Sequence, residues 1–164
     1  MVYLDTGFFV AYKNQRDKYH KHAQDILAQI LSGQIDKPFT CDYVLDEAVT
    51  ATRNCILKTG FKDVAHKKAT EIANEIHSQI YWTMHSVTPE CIKRSIELYS
   101  KHPECVLSFT DWIVFQMALT YGQPDIITND GALAKWAQEN GIKPIKLKDN
   151  DAYKKWRDEQ IEKS

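Results

Sequence analysis

Nowhere does the chain carry an apolar run approaching the ~20 residues needed to span a bilayer, so no membrane partner is expected. Its start, Met1-Val2-Tyr3-Leu4-Asp5, has neither the basic nor the long apolar stretch of a signal peptide. The expected location is therefore the cytoplasm. Only four cysteines occur, Cys41, Cys55, Cys91 and Cys105, and no two form a Cys-x-x-Cys pair. In a cytoplasmic chain they are expected to be free thiols, several of them buried. His102 and Cys105 have an H-x-x-C spacing. No second pair with zinc-ligand spacing accompanies them, which weighs against a zinc site. Basic excess is also missing. The net charge is −1, so no global positive field advertises nucleic acid. Internal repeats, low-complexity stretches and an interdomain linker are absent as well.

What remains is an ordinary globular composition. The 164 residues are 43% hydrophobic and 26% charged, enough for one domain with a sizeable core. Val2-Tyr3-Leu4 reads as a short strand, then a turn at Thr6-Gly7 and an apolar helix through Phe8–Tyr12. A second helix is expected from Asp17, with Ala23, Ile26, Leu27, Ile30 and Leu31 on one face. Pro38–Cys41 reads as a strand and Asp42–Leu57 as the helix after it. Phe61–Ile76 is helical, Ile80–Val87 a strand, and Pro89 a helix start with proline at the first position. Asp125–Thr128 is a strand, then a short helix, then a last strand over Lys143–Leu147, placed at a sheet edge by its proline. Strands alternating with helices imply an α/β fold with a mostly parallel sheet covered on both faces. Ligands of such sheets bind beyond the carboxyl ends of the strands. The main unit is expected over residues 1–147. Residues 148–164 form a charged extension, either a helix docked by its aromatics or a fraying tail.

Four acids fall at comparable places in this pattern. Asp5 follows the first strand, Glu47 lies in the second turn of the helix after Thr40-Cys41, and Asp130 follows the strand ending at Thr128. Asp111 stands in Ser108-Phe109-Thr110-Asp111 at the head of the apolar helix Trp112–Leu119, of which one face is expected to be buried. Ser108 or Thr110 can cap that helix, and its dipole favours an acid in the first turn. Each acid has a plain alternative: Asp5 as a helix cap, Glu47 as a solvated charge, Asp111 as part of a capped first turn. Taken together, carboxylates gathered in a low dielectric repel unless protons or cations neutralise them. Hard oxygen donors suit Mg²⁺ or Mn²⁺, and such ions polarise a phosphoryl oxygen, activate water and stabilise a leaving oxygen. Phosphodiester hydrolysis requires those tasks. The bound cations would also restore the positive charge that the acids remove.

This ordered set, spanning roughly residues 2–147, resembles the PIN domain family, and VapC-type toxins are similar in size and layout. The resemblance implies a three-layer α/β/α sandwich and a metal-dependent endoribonuclease, the toxin of a toxin–antitoxin pair. It assigns Asp5, Glu47, Asp111 and Asp130 as catalytic, metal-binding acids for Mg²⁺ or Mn²⁺. Thr6, Ser108, Thr110 and Thr128 are the supporting residues. RNA, an antitoxin protein and a second copy of the chain are the implied partners. Asp17-x-x-His20-x-x-Ala23 also resembles a pattern common in these toxins, without an evident chemical step. Asp46 is the alternative to Glu47 if the helix register differs. Arg53, Lys58 and Lys62 are candidate phosphate contacts.

Other readings fare worse. A haloacid-dehalogenase-type phosphatase needs a second acid two residues after Asp5, where this chain has Gly7. A receiver domain needs an acidic pair near the end of the first strand, and Asp5 stands alone. A non-catalytic RNA-binding or scaffold protein of the same fold is the alternative from another class.

Overall fold

A computed structural model describes residues 1–35, 38–58, 60–78, 81–122 and 124–161. Five strands form one parallel sheet: β1 (Val2–Leu4), β2 (Pro38–Cys41), β3 (Thr83–His85), β4 (Asp125–Thr128) and β5 (Pro144–Lys146). Their order across the sheet is β3-β2-β1-β4-β5. Among the described residues eight helices cover it: α1 (Thr6–Lys13), α2 (His20–Leu31), α3 (Asp42–Leu57), α4 (Lys62–His77), α5 (Pro89–Lys101), α6 (Phe109–Thr120), α7 (Gly131–Glu139) and α8 (Asn150–Ile161). The result is the expected three-layer α/β/α sandwich. Among the described residues no helix is long and apolar enough to cross a membrane.

The central strands are buried on both faces, so they read as continuous apolar runs rather than alternating ones. Val2, Tyr3 and Leu4 of β1 and Ile126, Ile127 and Thr128 of β4 are all buried. Register is set by the pairs Tyr3↔Ile126 and Tyr3↔Phe39. β1 is the pivot of the topology. The chain builds outward from it through β2 to β3, then returns to add β4 on its other side and β5 beyond. The crevice at the carboxyl ends of β1 and β4 is therefore the switch point at which ligands bind in open α/β sheets.

Several expectations need adjustment. The third strand is predicted from Ile80, which lies outside the described residues, as does the tail after residue 161. α2 begins at His20 rather than Asp17, because Asp17 forms a turn of its own. Its Oδ1 accepts from the Tyr19 amide at 2.8 Å and its carbonyl from the His20 amide at 3.1 Å. Such local side-chain bonds compete with helix. α6 is buried all round from Asp111 to Ala118, not along one face. It lies between α5 and α7 as well as against α3, so no side meets water. Pro144 opens the edge strand β5, where no ladder donor is lost.

α8 packs on α2. His22 is buried there, and its Nδ1 accepts from the Lys148 amide at 2.8 Å. The His22 ring stacks on Tyr153, with centroids 4.6 Å apart, and lies 6.1 Å from Trp156. Asn150 adds three bonds at the start of α2, donating its amide to the Lys18 carbonyl at 2.6 Å and Nδ2 to the Asp17 carbonyl at 3.4 Å, and accepting from the Lys21 amide at 3.1 Å. His20 closes the other side of that turn through Nδ1 and the Ala11 carbonyl, 2.8 Å apart. The Asp17-x-x-His20 stretch thus ties α1, α2 and α8 together.

Candidate active site

Asp5 leaves β1 at the switch point. It holds the N-cap position of α1, yet its side chain makes no cap hydrogen bond. Its Oδ2 accepts instead from the Thr128 hydroxyl at 2.6 Å, a residue 123 positions away on the neighbouring strand. The same hydroxyl oxygen accepts from the Asp130 amide at 2.9 Å. Thr128 thereby locks the ends of β1 and β4 to each other.

The next residue, Thr6, donates its hydroxyl to Glu47 Oε2 at 2.6 Å. Glu47 is half-buried on the second turn of α3, whereas Asp46 is exposed. Successive helical residues point about 100° apart, and the register selects Glu47. Asp111 sits in a capping box at the start of α6. Its amide donates to Ser108 Oγ at 3.1 Å, and its Oδ2 accepts from the Ser108 amide at 2.6 Å. Ser108, not Thr110, is the cap, and Thr110 makes no side-chain hydrogen bond among the described residues. Asp130 caps α7, with Oδ1 accepting from the Ala132 and Leu133 amides at 2.7 and 2.8 Å. The plain capping role therefore holds for Asp130 and in part for Asp111, but not for Asp5.

Charge links the four acids. Burial pushes the Asp5 carboxyl up to about 7. The Thr128 bond opposes this, the negative charge of Asp111 adds to it, the Thr6 amide opposes it, and Glu47 adds again. Burial likewise lifts Asp111 to about 6 against the pull of Ser108, with Asp130 and Glu47 adding repulsion. Among the described residues no Lys or Arg side chain is among the groups that shift Asp5 or Asp111. The donor chemistry fits a hard divalent ion: four carboxylates, each with one oxygen held in place. Glu47 Oε1 and Asp130 Oδ2 have no hydrogen-bond partner among the described residues. The acids stand apart, coupled through charge rather than contact. The described residues bring three His, Cys, Asp or Glu ligand atoms within 4.8 Å of one another only at His102, Glu104 and Cys105.

Two features of the site were not read from the sequence. Lys146 Nζ lies 3.4 Å from where a Cβ on Gly131 would stand, above the α7 N-terminus beside Asp130. The signal was available, since Lys146 ends β5 in register with Thr128 and must emerge on the same side of the sheet. Arg53, Lys58 and Lys62 are exposed, but Lys58 lies ~16 Å along the helix axis from Glu47. The second feature is a close approach. A Cβ on Gly7 would meet Asn129 Oδ1 at 2.0 Å, so glycine lets the first turn of α1 pack against the loop carrying Asp130.

The PIN domain family model matches residues 2–154. The chain belongs to the PIN domain family. Solved structures agree with that fold. A VapC20 toxin of Mycobacterium tuberculosis, described as cleaving the sarcin–ricin loop, superposes with a TM-score of 0.70 at 23% identity, covering 83% of this chain and 95% of that one. The VapBC2 complex of Rickettsia felis, bound to a DNA fragment of its promoter, gives a TM-score of 0.56 at 14% identity, covering 90% of this chain and all of that chain. No curated relative matches the chain. Within this PIN domain, Asp5, Glu47, Asp111 and Asp130 lie near enough to one another for their charges to couple, at the end of the sheet where such folds take ligands.

Proposed function

We propose that this PIN domain protein is a metal-dependent endoribonuclease acting as the toxin of a toxin–antitoxin pair. The observation that carries the reading is Asp5: a buried acid at the switch point that caps nothing and is pushed up to about 7 in the company of further acids. Such repulsion costs stability unless a proton, a cation or a substrate offsets it. Asp5, Glu47, Asp111 and Asp130 are the residues that would hold Mg²⁺ or Mn²⁺. When bound, such an ion neutralises the phosphoryl charge and activates water for attack on phosphorus. Thr128, Thr6 and Ser108 fix one carboxylate oxygen each of Asp5, Glu47 and Asp111, aligning the others. Lys146 meets the incoming phosphate backbone from the β5 side.

The RNA substrate draws support from the family and from the described activity of the VapC20 neighbour. An antitoxin partner draws support from the VapBC2 complex. A homodimer, a cytoplasmic location and the division into a nuclease unit over 1–147 with an extension over 148–164 belong to the same proposal.

The alternative is a non-catalytic RNA-binding or scaffold protein. One observation favours it: Asp130 and Asp111 both have ordinary capping duties. Incubation of the protein with a mixed RNA pool and Mn²⁺ separates the two readings. The nuclease reading expects cleavage that EDTA stops and that Asp5→Asn lacks. Cleavage surviving Asp5→Asn overturns the assignment of this site. Absence of cleavage, together with no thermal stabilisation by Mn²⁺, moves the reading to the binding protein.

A further inference from the structure

The loop between α5 and α6 gathers three different metal-ligating side chains. His102 ends α5, Pro103 turns the chain, and Glu104 and Cys105 follow. His102 Nδ1 and Glu104 Oε1 are 3.2 Å apart, and Cys105 Sγ lies 4.0 Å from the same oxygen. All three ligand atoms lie within 4.8 Å of one another. A tetrahedral zinc ion with ordinary bond lengths needs its nitrogen and oxygen ligands about 3.3 Å apart and its sulfur and oxygen ligands about 3.5 Å apart. The two pairs that share Glu104 are thus within about half an ångström of ligand spacing, and the His102–Cys105 pair lies within 4.8 Å.

The imidazole is aimed by packing. Its ring lies parallel to Trp112 at 5.8 Å and edge-on to Trp136 at 4.8 Å. The cluster borders a surface cavity of about 430 Å³ lined in part by Tyr99, Pro103 and Leu107, so an ion can enter. The charges also balance: a neutral imidazole, a carboxylate and a thiolate cancel a divalent cation. The charges of Glu139 and of Lys135, which pairs with it, both reach Cys105, and the fourth position is open to water.

We propose that His102, Glu104 and Cys105 form a second cation site, selective for zinc-class ions over Mg²⁺ or Mn²⁺. Sulfur and imidazole donors set that preference. On binding, the Cys105 thiol gives its proton to solvent and its sulfur takes the metal bond. The sequence lacks a second zinc-spaced pair, but Glu104 supplies the third ligand from within the loop. The site lies three residues before Ser108, so a bound ion fixes the segment that feeds the α6 cap and Asp111.

The test is titration of the reduced, EDTA-stripped full chain with Co²⁺, reading the sulfur-to-cobalt charge-transfer absorbance, with competition by Zn²⁺. One equivalent of a thiolate-bound ion is expected, unchanged in Asp5→Asn and Cys55→Ser and lost in Cys105→Ser. His102→Ala should weaken binding by more than the roughly 10–100-fold that loss of an outer-shell partner costs. In the unmodified chain, Zn²⁺ should protect Cys105 from alkylation, read by peptide mass spectrometry, while Cys55 stays reactive. Absence of the charge-transfer band, its persistence in Cys105→Ser, or equal alkylation of Cys105 with and without Zn²⁺ overturns the proposal. None of these readouts depends on nuclease activity.

Discussion

Asp5 and His22 are both nearly inaccessible, at 3% and 7% exposure, and burial drives each toward its neutral form. It pushes Asp5 up to about 7 and His22 down to about 4. Their surroundings differ. Neutral His22 has a use in the fold: its Nδ1 accepts the Lys148 amide and its ring stacks on Tyr153. Lys148 adds to the downward push on its titration, while Asp25 opposes it. Asp5 is held by Thr128 and the Thr6 amide, yet Asp111 and Glu47 repel its charged form. Burial alone therefore does not mark a functional group. Burial among unrelieved like charges does, because an ion or a substrate must complete it.

Asp5→Asn should split this contrast most widely. Cleavage of RNA should fall by at least ~10²-fold, the scale lost when a group acting mainly in the transition state is removed. The metal-free fold should become more stable at pH 8, by on the order of a few kcal/mol, and thermal melts in EDTA measure that gain. A variant that loses stability along with activity would make Asp5 a structural acid.

His22→Ala should do the reverse. Loss of the stacked ring and of the Lys148 acceptor should cost about 2–3 kcal/mol and loosen α8. Cleavage per folded molecule should stay intact. Denaturant melts and hydrogen exchange across residues 148–161 would show it, and unchanged protection of α8 would remove His22 from that role.

The pH dependence separates the two groups in EDTA. Asp5 and Asp111 keep their protons to about 7 and about 6 in the folded state. Between about 4 and 7 the native chain binds more protons at these sites than the unfolded one, and their effect is to lower stability as pH rises. His22 works the other way: between about 4 and 6.5 the unfolded chain takes up the proton first, so its contribution is lost as pH falls. Above pH 6.5 only the Asp5 trend remains. Stability should decline from pH 6.5 to 8, and Asp5→Asn should flatten that decline.

Gly7→Ala is expected to have a smaller effect. Helix propensity gains up to ~1 kcal/mol, but Asn129 must swing away from the new Cβ. Stability should stay within about 1 kcal/mol of the parent while cleavage drops roughly tenfold, a misplacement effect. The smallest effect belongs to Thr110→Ala, for which stability and activity should stay at parental levels, since its hydroxyl holds no bond among the described residues.

Much of the site could be read from local patterns. Asp5, Asp130 and the Ser108–Asp111 cap each lie where a strand ends or a helix starts, and those boundaries are written in neighbouring residues. The Asp5–Thr128 bond joins positions 123 residues apart, and no periodicity announces it. Thr110 was an equal candidate for the cap because side-chain chemistry alone does not separate it from Ser108. Only the helix boundary at Phe109 does. The spacing of Trp112, Phe115, Ala118 and Leu119 reads as one apolar face, because the helices that bury the rest of α6 are tertiary neighbours. The sequence pattern places the start of α2 three residues early because a local Asp17 turn outcompetes helix.

The Thr128 hydroxyl has one hydrogen. Its oxygen receives the Asp130 amide, so that hydrogen goes to Asp5 Oδ2. The direction of the chain N–H, O–H, carboxylate is thereby fixed from β4 toward β1. When Asp5 is protonated, its own hydrogen belongs on Oδ1, since Oδ2 already receives one. Valine at position 128 would keep the shape and erase this polarity, leaving Asp5 without an orientation for its proton and the Asp130 amide without an acceptor.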